Sequence, residues 1–182
     1  MFGKLVPVYR EKESFTLFYD TDKKQLYRFP HRGKIGGFSW FYLLPLLVLY
    51  VSSFLNDLYQ PYGSLVLNLV CSIILLPIGY SIARVFYKGY YIQNKNCGYY
   101  LDQENLLNYE EQGKKQFVRE CIGTLCSIVV MIIGFVVFFV FNQLQGLIIG
   151  GIGYIVVWIF LLMNPYSRLQ LYKKIQRGEI KL

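Results

Sequence analysis

Apolar and polar positions along the chain fall into four runs free of Asp, Glu, Lys, Arg and His: Phe38–Leu55, Ser64–Ala83, Cys121–Phe141 and Gly146–Met163. Each reaches the roughly 18 residues that a helix needs to cross a hydrocarbon layer of about 30 Å. Two polar breaks separate them within pairs, "NDLYQPYG" over 56–63 and "NQLQ" over 142–145. One unbroken helix from Cys121 to Met163 would be about twice the thickness of the layer. "NQLQ" therefore predicts a hairpin tip, with the third and fourth runs side by side and antiparallel. Ahead of the first run the period changes: Phe15, Leu17 and Tyr19 alternate, a polar turn covers Asp20 to Lys24, and a short aromatic run ends at Phe29. That is the pattern of a β-hairpin. Pro30 and Gly33 break it, leaving His31, Arg32 and Lys34 at the expected membrane surface. The predicted fold is an all-α integral membrane protein with four transmembrane helices in two antiparallel hairpins and a small cytoplasmic β-hairpin-like N-terminal segment. Its segments are 1–37, 38–84, 85–120, 121–164 and 165–182.

Composition agrees, since 54% hydrophobic and 18% aromatic residues exceed what a water-soluble domain usually carries. Charge then orients the chain. The 19 Lys and Arg lie before the first run (Lys4 to Lys34), between the second and third (Arg84 to Arg119), and after the fourth (Arg168 to Lys181). The other two connections hold no cation, so the positive-inside rule predicts a multi-pass cell-membrane protein with both termini cytoplasmic. Trp40, Phe41 and Tyr42, Tyr59 and Tyr62, and Tyr87, Tyr90 and Tyr91 stand where interfacial aromatic anchors are expected. "MFGKLVPVYREKES" has neither an apolar core nor a cleavage site, so no removable signal peptide is read.

Small residues supply the packing pattern. Gly146, Gly150 and Gly153 form a stripe in the fourth run, and Gly123, Ser127 and Gly134 recur at intervals of four and seven in the third. Such stripes let helix backbones approach closely in lipid. They predict either intramolecular packing or docking of a partner, with the Tyr154 hydroxyl bonding to a neighbouring helix. Pro77 predicts a kink in the second run, and Gly79 with Ala83 a weaker patch of close approach.

In the tail "PYSRLQLYKKIQRGEIKL", Leu169, Tyr172 and Ile175 recur every three residues among Arg168, Lys173, Lys174 and Arg177. A basic amphipathic helix on lipid headgroups fits, as does a purely topological role for the charges. "YYLDQENLLNY" (99–109) resembles "FYDTDKKQLY" (18–27) and raises the prospect of a duplicated unit.

Little points to reaction chemistry. His31 has no ligand cluster around it, and the carboxylates at Asp20, Asp22, Asp102, Glu104, Glu110, Glu111 and Glu120 sit among basic residues without a nucleophile or phosphate loop. Cys71, Cys97, Cys121 and Cys126 lack zinc-site spacing and are read as reduced packing residues. The four runs hold no ionisable acid or base of the kind a proton-coupled transporter uses, and Asn68 is read as bonding another helix. No catalytic, cofactor-binding or metal residues are assigned, and nucleic-acid binding is not expected.

The segment "FTLFYDTDKKQLYRFPHRGKIGGFSWFYLLP", with its Tyr-Asp turn leading into an aromatic and proline-marked first span, and the basic tail resemble the tandem five-transmembrane family of Gram-positive bacteria. That family has five spans, against four runs here. The resemblance implies an immunity protein that binds a membrane-acting toxin of a type VII secretion system within the bilayer. Expected partners are thus membrane lipids and a membrane protein, either toxin or transporter subunit. An accessory subunit or small oligomeric transport module, built as a homo-oligomer, is the alternative.

Overall fold

A computed structural model describes residues 5–11, 14–30, 40–91 and 103–180, with side chains undescribed at 40–49, 89–91 and 103–104. His31, Arg32, Lys34, Cys97 and the anchors Trp40, Phe41, Tyr42, Tyr90 and Tyr91 lie outside the described side chains. The described residues form three strands, β1 (Leu5–Arg10), β2 (Phe15–Asp20) and β3 (Gln25–Pro30), then five α-helices. These are α1 (Trp40–Tyr59), α2 (Leu65–Tyr91), α3 (Gln103–Phe141), α4 (Leu144–Leu162) and α5 (Pro165–Gln176). Among the described residues, three stretches are long and apolar enough to cross a membrane: Leu65–Lys88 in α2, Asn105–Phe141 in α3, and Leu144–Gln176, which takes α4 and α5 together. The protein is thus mostly helical, with apolar helices suited to a membrane and a small antiparallel sheet.

Contacts divide the chain into two units. The first gathers residues 1–33, 84–123 and 159–182. Its sheet has the order β1-β2-β3, antiparallel throughout, with Asp20 opposite Gln25 across the second hairpin. The turn between them is set by Asp20, whose Oδ1 accepts from the backbone N–H of Asp22 and Lys23 at 2.9 and 3.2 Å. Lys24 closes it with φ 53°, in the left-handed region. The expected hairpin is therefore present. Periodicity did not point to the third strand, β1, whose "LVPVYR" lacks clean alternation because Val8 is an extra residue between the pairs Pro7–Phe18 and Tyr9–Leu17.

The sheet is buried on both faces, where alternation alone implied one. Phe15, Leu17 and Tyr19 join Val6, Val8, Leu26, Leu106, Phe117, Leu171, Tyr172 and Ile175 in one core. Phe18 points the other way, onto Phe29, Tyr87 and Met163. The second face is filled by aromatics, with Phe18 and Phe29 edge to face at 5.2 Å.

The second unit comprises residues 34–83 and 124–158. Here α3 and α4 lie antiparallel, joined through Asn142, whose φ of 53° ends α3 in the left-handed conformation typical of a helix C-terminus. The turn that the sequence predicts at "NQLQ" is present over Asn142 and Gln143, with Leu144 and Gln145 already opening α4.

Helix limits differ from those read off the charges. α2 continues to Tyr91 and α3 starts at Gln103, so much of the expected 85–120 segment is helix continuous with the apolar runs. Charge keeps a residue out of hydrocarbon but does not interrupt a backbone hydrogen-bond ladder. Lys114–Glu110 and Lys115–Glu111, each 2.8 Å and four residues apart, even favour the helix. Residues 103–109 are helical where 18–27 are strand, turn and strand, so the sequence likeness between those segments does not extend to structure.

Candidate functional site

Four groupings of described side chains could carry a function, and glycines position two of them. The first is the seam between α3 and α4. A Cβ on Gly134 would lie 2.5 Å from the Gly150 nitrogen and 2.7 Å from the Gly146 oxygen. One on Gly146 would meet the Gly134 oxygen at 2.5 Å, and one on Gly153 the Ser127 oxygen at 2.7 Å. Gly150 is less tight, at 3.3 Å from the Met131 oxygen. Six of the residues singled out from sequence are thus distributed as follows: Ser127, Gly134, Gly146, Gly150 and Gly153 meet within the chain, and Gly123 faces open space. The stripe's close approach is taken up by the protein's own helices. Tyr154 reaches α2 through its ring, which occupies the notch at Gly79, where a Cβ would come within 2.8 Å. The ring also stands edge to face with Trp158, which packs in the same way on Tyr80 at 4.8 Å.

Beside the α3–α4 turn, polar side chains from α1, α2 and α4 interlock with that of the turn residue Asn142. Asn68 is 1% exposed. Its Oδ1 accepts from the Tyr59 hydroxyl, and its Nδ2 donates to Asn142 Oδ1 at 2.8 Å and to the Phe138 carbonyl at 3.4 Å. Asn56 Oδ1 accepts from the Leu144 backbone N–H at 2.8 Å, capping the start of α4, and Gln145 donates to Ser53 at 3.1 Å. The expected helix-to-helix role of Asn68 is what is seen. An Asn68→Ala and Asn142→Ala double-mutant cycle should give a coupling of about 0.6–1.7 kcal/mol, the range for side-chain hydrogen bonds between membrane helices. Reversible unfolding in bicelles would measure it, and additive effects would dissolve the pairing.

The third grouping was not read from the sequence as such. Arg168, expected at lipid headgroups, is 2% exposed. Its Nη1 donates to Glu120 Oε2 at 2.5 Å and its Nε to the Tyr172 hydroxyl at 2.7 Å. That hydroxyl donates in turn to the Val8 carbonyl at 2.6 Å. The β-bulge explains why this carbonyl is available, since the inserted residue lacks a pairing partner across the sheet. Gly113 makes room for it: a Cβ there would sit 2.3 Å from the Val8 oxygen. Asn164 starts α5 by accepting from the Ser167 N–H, and Pro165 follows at the first helical position. The buried face of α5 is Arg168, Leu171, Tyr172 and Ile175, while Leu169 is 44% exposed. Sheet residues, rather than lipid, cover the apolar side of this helix. Lys173, Lys174 and Arg177 stay exposed, as a headgroup role requires. The Leu-Tyr and Ile spacing was legible, but which of its neighbours faced inward depended on a sheet that periodicity did not place.

A groove of about 480 Å³ opens where the end of β1 meets α3, lined by Tyr9, Arg10, Glu11, Gln112, Lys115 and Arg119. The Arg10 backbone N–H donates to Gln116 Oε1 at 3.1 Å, which fixes the strand end to the helix. Burial, then the neighbouring Glu11 and Tyr109, push the Tyr9 phenol above its ordinary value of 10.0, so the ring stays neutral there. Among the described residues no set of three or more His, Cys, Asp or Glu gathers as metal ligands.

No protein-family model matches the chain, and no curated protein or solved structure matches it either.

Proposed function

We infer that the chain is a cell-membrane protein that crosses the bilayer four times through α1 to α4, with both termini cytoplasmic, and acts by binding another protein within the bilayer. The distribution of cations supports the orientation. One observation supports the mode of action. Opposite the glycine seam, α3 presents Ile122, Leu125, Val129, Ile133, Val136 and Val140, each at least half exposed and spaced by three or four residues. Over 19 positions this ridge runs about 27 Å, nearly the thickness of the hydrocarbon layer. The small-residue stripe is filled from within, whereas this ridge is an apolar surface open to a partner, as are exposed residues of α2 such as Leu65, Val66 and Ile73. The resemblance to the tandem five-transmembrane family makes that partner a membrane-acting toxin and the function immunity.

A photo-crosslinking amino acid at Val129 in native membranes tests this. The expected product is an adduct with a second membrane-inserted protein, and cells expressing the chain should survive exposure to that protein. Val129→Trp with Ile133→Trp should abolish both while leaving insertion unchanged. Adducts with the chain itself alone would favour the oligomeric transport module, and adducts with lipid alone would overturn protein binding.

A further inference from the structure

We propose that the groove between β1 and α3 is a binding site for a phosphate-bearing anion presented by a lipid headgroup. Among the described residues its lining holds three cations, Arg10, Lys115 and Arg119, and one carboxylate, Glu11, with two amides and a neutral phenol able to donate hydrogen bonds. Two guanidiniums suit phosphate oxygens, which they can engage with paired N–H groups. Lys115 also pairs with Glu111, but that pair is exposed and four residues apart on one helix, a type that competes weakly with an anion.

Position on α3 selects the lipid over a dissolved phosphate. The charge-free run begins at Cys121, so Arg119 stands about 3 Å and Lys115 about 9 Å before it along the helix axis. That depth is the headgroup layer, given a hydrocarbon core of about 30 Å inside a bilayer of about 40–45 Å. This step rests on the membrane crossing by α3 inferred above. The groove differs from a diffuse basic surface in having a strand end tied to the helix at one wall, through Arg10 and Gln116.

The test uses the full chain in phosphatidylcholine nanodiscs doped with phosphatidylglycerol, read by native mass spectrometry of retained lipid. Wild type should retain phosphatidylglycerol preferentially. Lys115→Gln with Arg119→Gln should weaken retention roughly thirtyfold, about five- to sixfold for each cation near an anionic lipid. Lys173→Gln with Lys174→Gln removes the same charge from α5 and should retain lipid as wild type does. Equal loss in both pairs would reduce the site to general electrostatics and overturn it. Displacement of the lipid by millimolar inorganic phosphate would overturn the lipid as the source. Labelling of a Leu182→Cys chain in intact cells reads orientation separately: an exterior label would sink the topology while the nanodisc result still judged the groove.

Discussion

Gly134→Ala is expected to destabilise the α3–α4 pair by about 1–3 kcal/mol, the usual cost of forcing one extra methyl into a filled contact. The added carbon would lie 2.5 Å from a backbone nitrogen and 2.7 Å from a backbone oxygen, neither of which can swing aside as a side-chain tip can. Relief would require the two helices to separate, and separation would spread to Gly146 and Gly153, whose own approaches are 2.5 and 2.7 Å. The same substitution in an open part of a helix has the opposite sign, because alanine is favoured over glycine by about 1 kcal/mol. Gly123 provides that control, with nothing within 4 Å of its added Cβ. Gly123→Ala should therefore leave stability unchanged or raise it. Steric-trap unfolding in bicelles reads both variants. Equal stability of Gly134→Ala and wild type would mean that the seam does not hold the helices together.

The contrast shows how far the sequence could be read. Spacing by four and seven residues identified Gly134, Gly146, Gly150 and Gly153 as contact positions, because in lipid small residues are what permits close packing. Spacing could not say whether the facing backbone belonged to the same chain, nor that Gly123, on the same pattern, faced outward. "NQLQ" was legible because the length of the flanking runs leaves no alternative to a turn. α2 and α3 run past the charge-free limits, since those report solubility in hydrocarbon rather than helix formation. The sheet was half legible: Asp20 to Lys24 announced a turn, but the burial of β2 on both sides comes from residues as distant as Leu106, Tyr87 and Tyr172. The basic groove escaped notice for the same reason, as Arg10 and Arg119 meet only after β1 has paired with β2 and settled on α3.

Arg168→Ala should be the most damaging single change in the first unit, at about 3 kcal/mol, the lower end of what breaking a buried ion pair costs. The lower end applies because Glu120 keeps 24% of its side chain exposed and would recover some hydration. Three contacts go at once: the bond to Glu120, the donor to the Tyr172 hydroxyl, and the guanidinium over the Phe117 ring at 5.3 Å. Arg168→Lys keeps the charge but not the planar fork that serves Glu120 and Tyr172 together, so it should recover only part of the loss. Arg168→Met combined with Glu120→Leu removes both charges and should lie closer to wild type than Arg168→Ala, since no uncompensated carboxylate remains. Lys173→Ala, on the exposed side of α5, should change stability by no more than about 0.5 kcal/mol. Thermal unfolding in detergent, followed by tryptophan fluorescence, ranks the four. This ranking separates two roles for the same basic tail, because a cation that only fixes topology or touches headgroups is replaceable without loss of fold. Arg168→Ala as mild as Lys173→Ala would return Arg168 to that role and remove the link between α5, α3 and the bulged carbonyl of Val8.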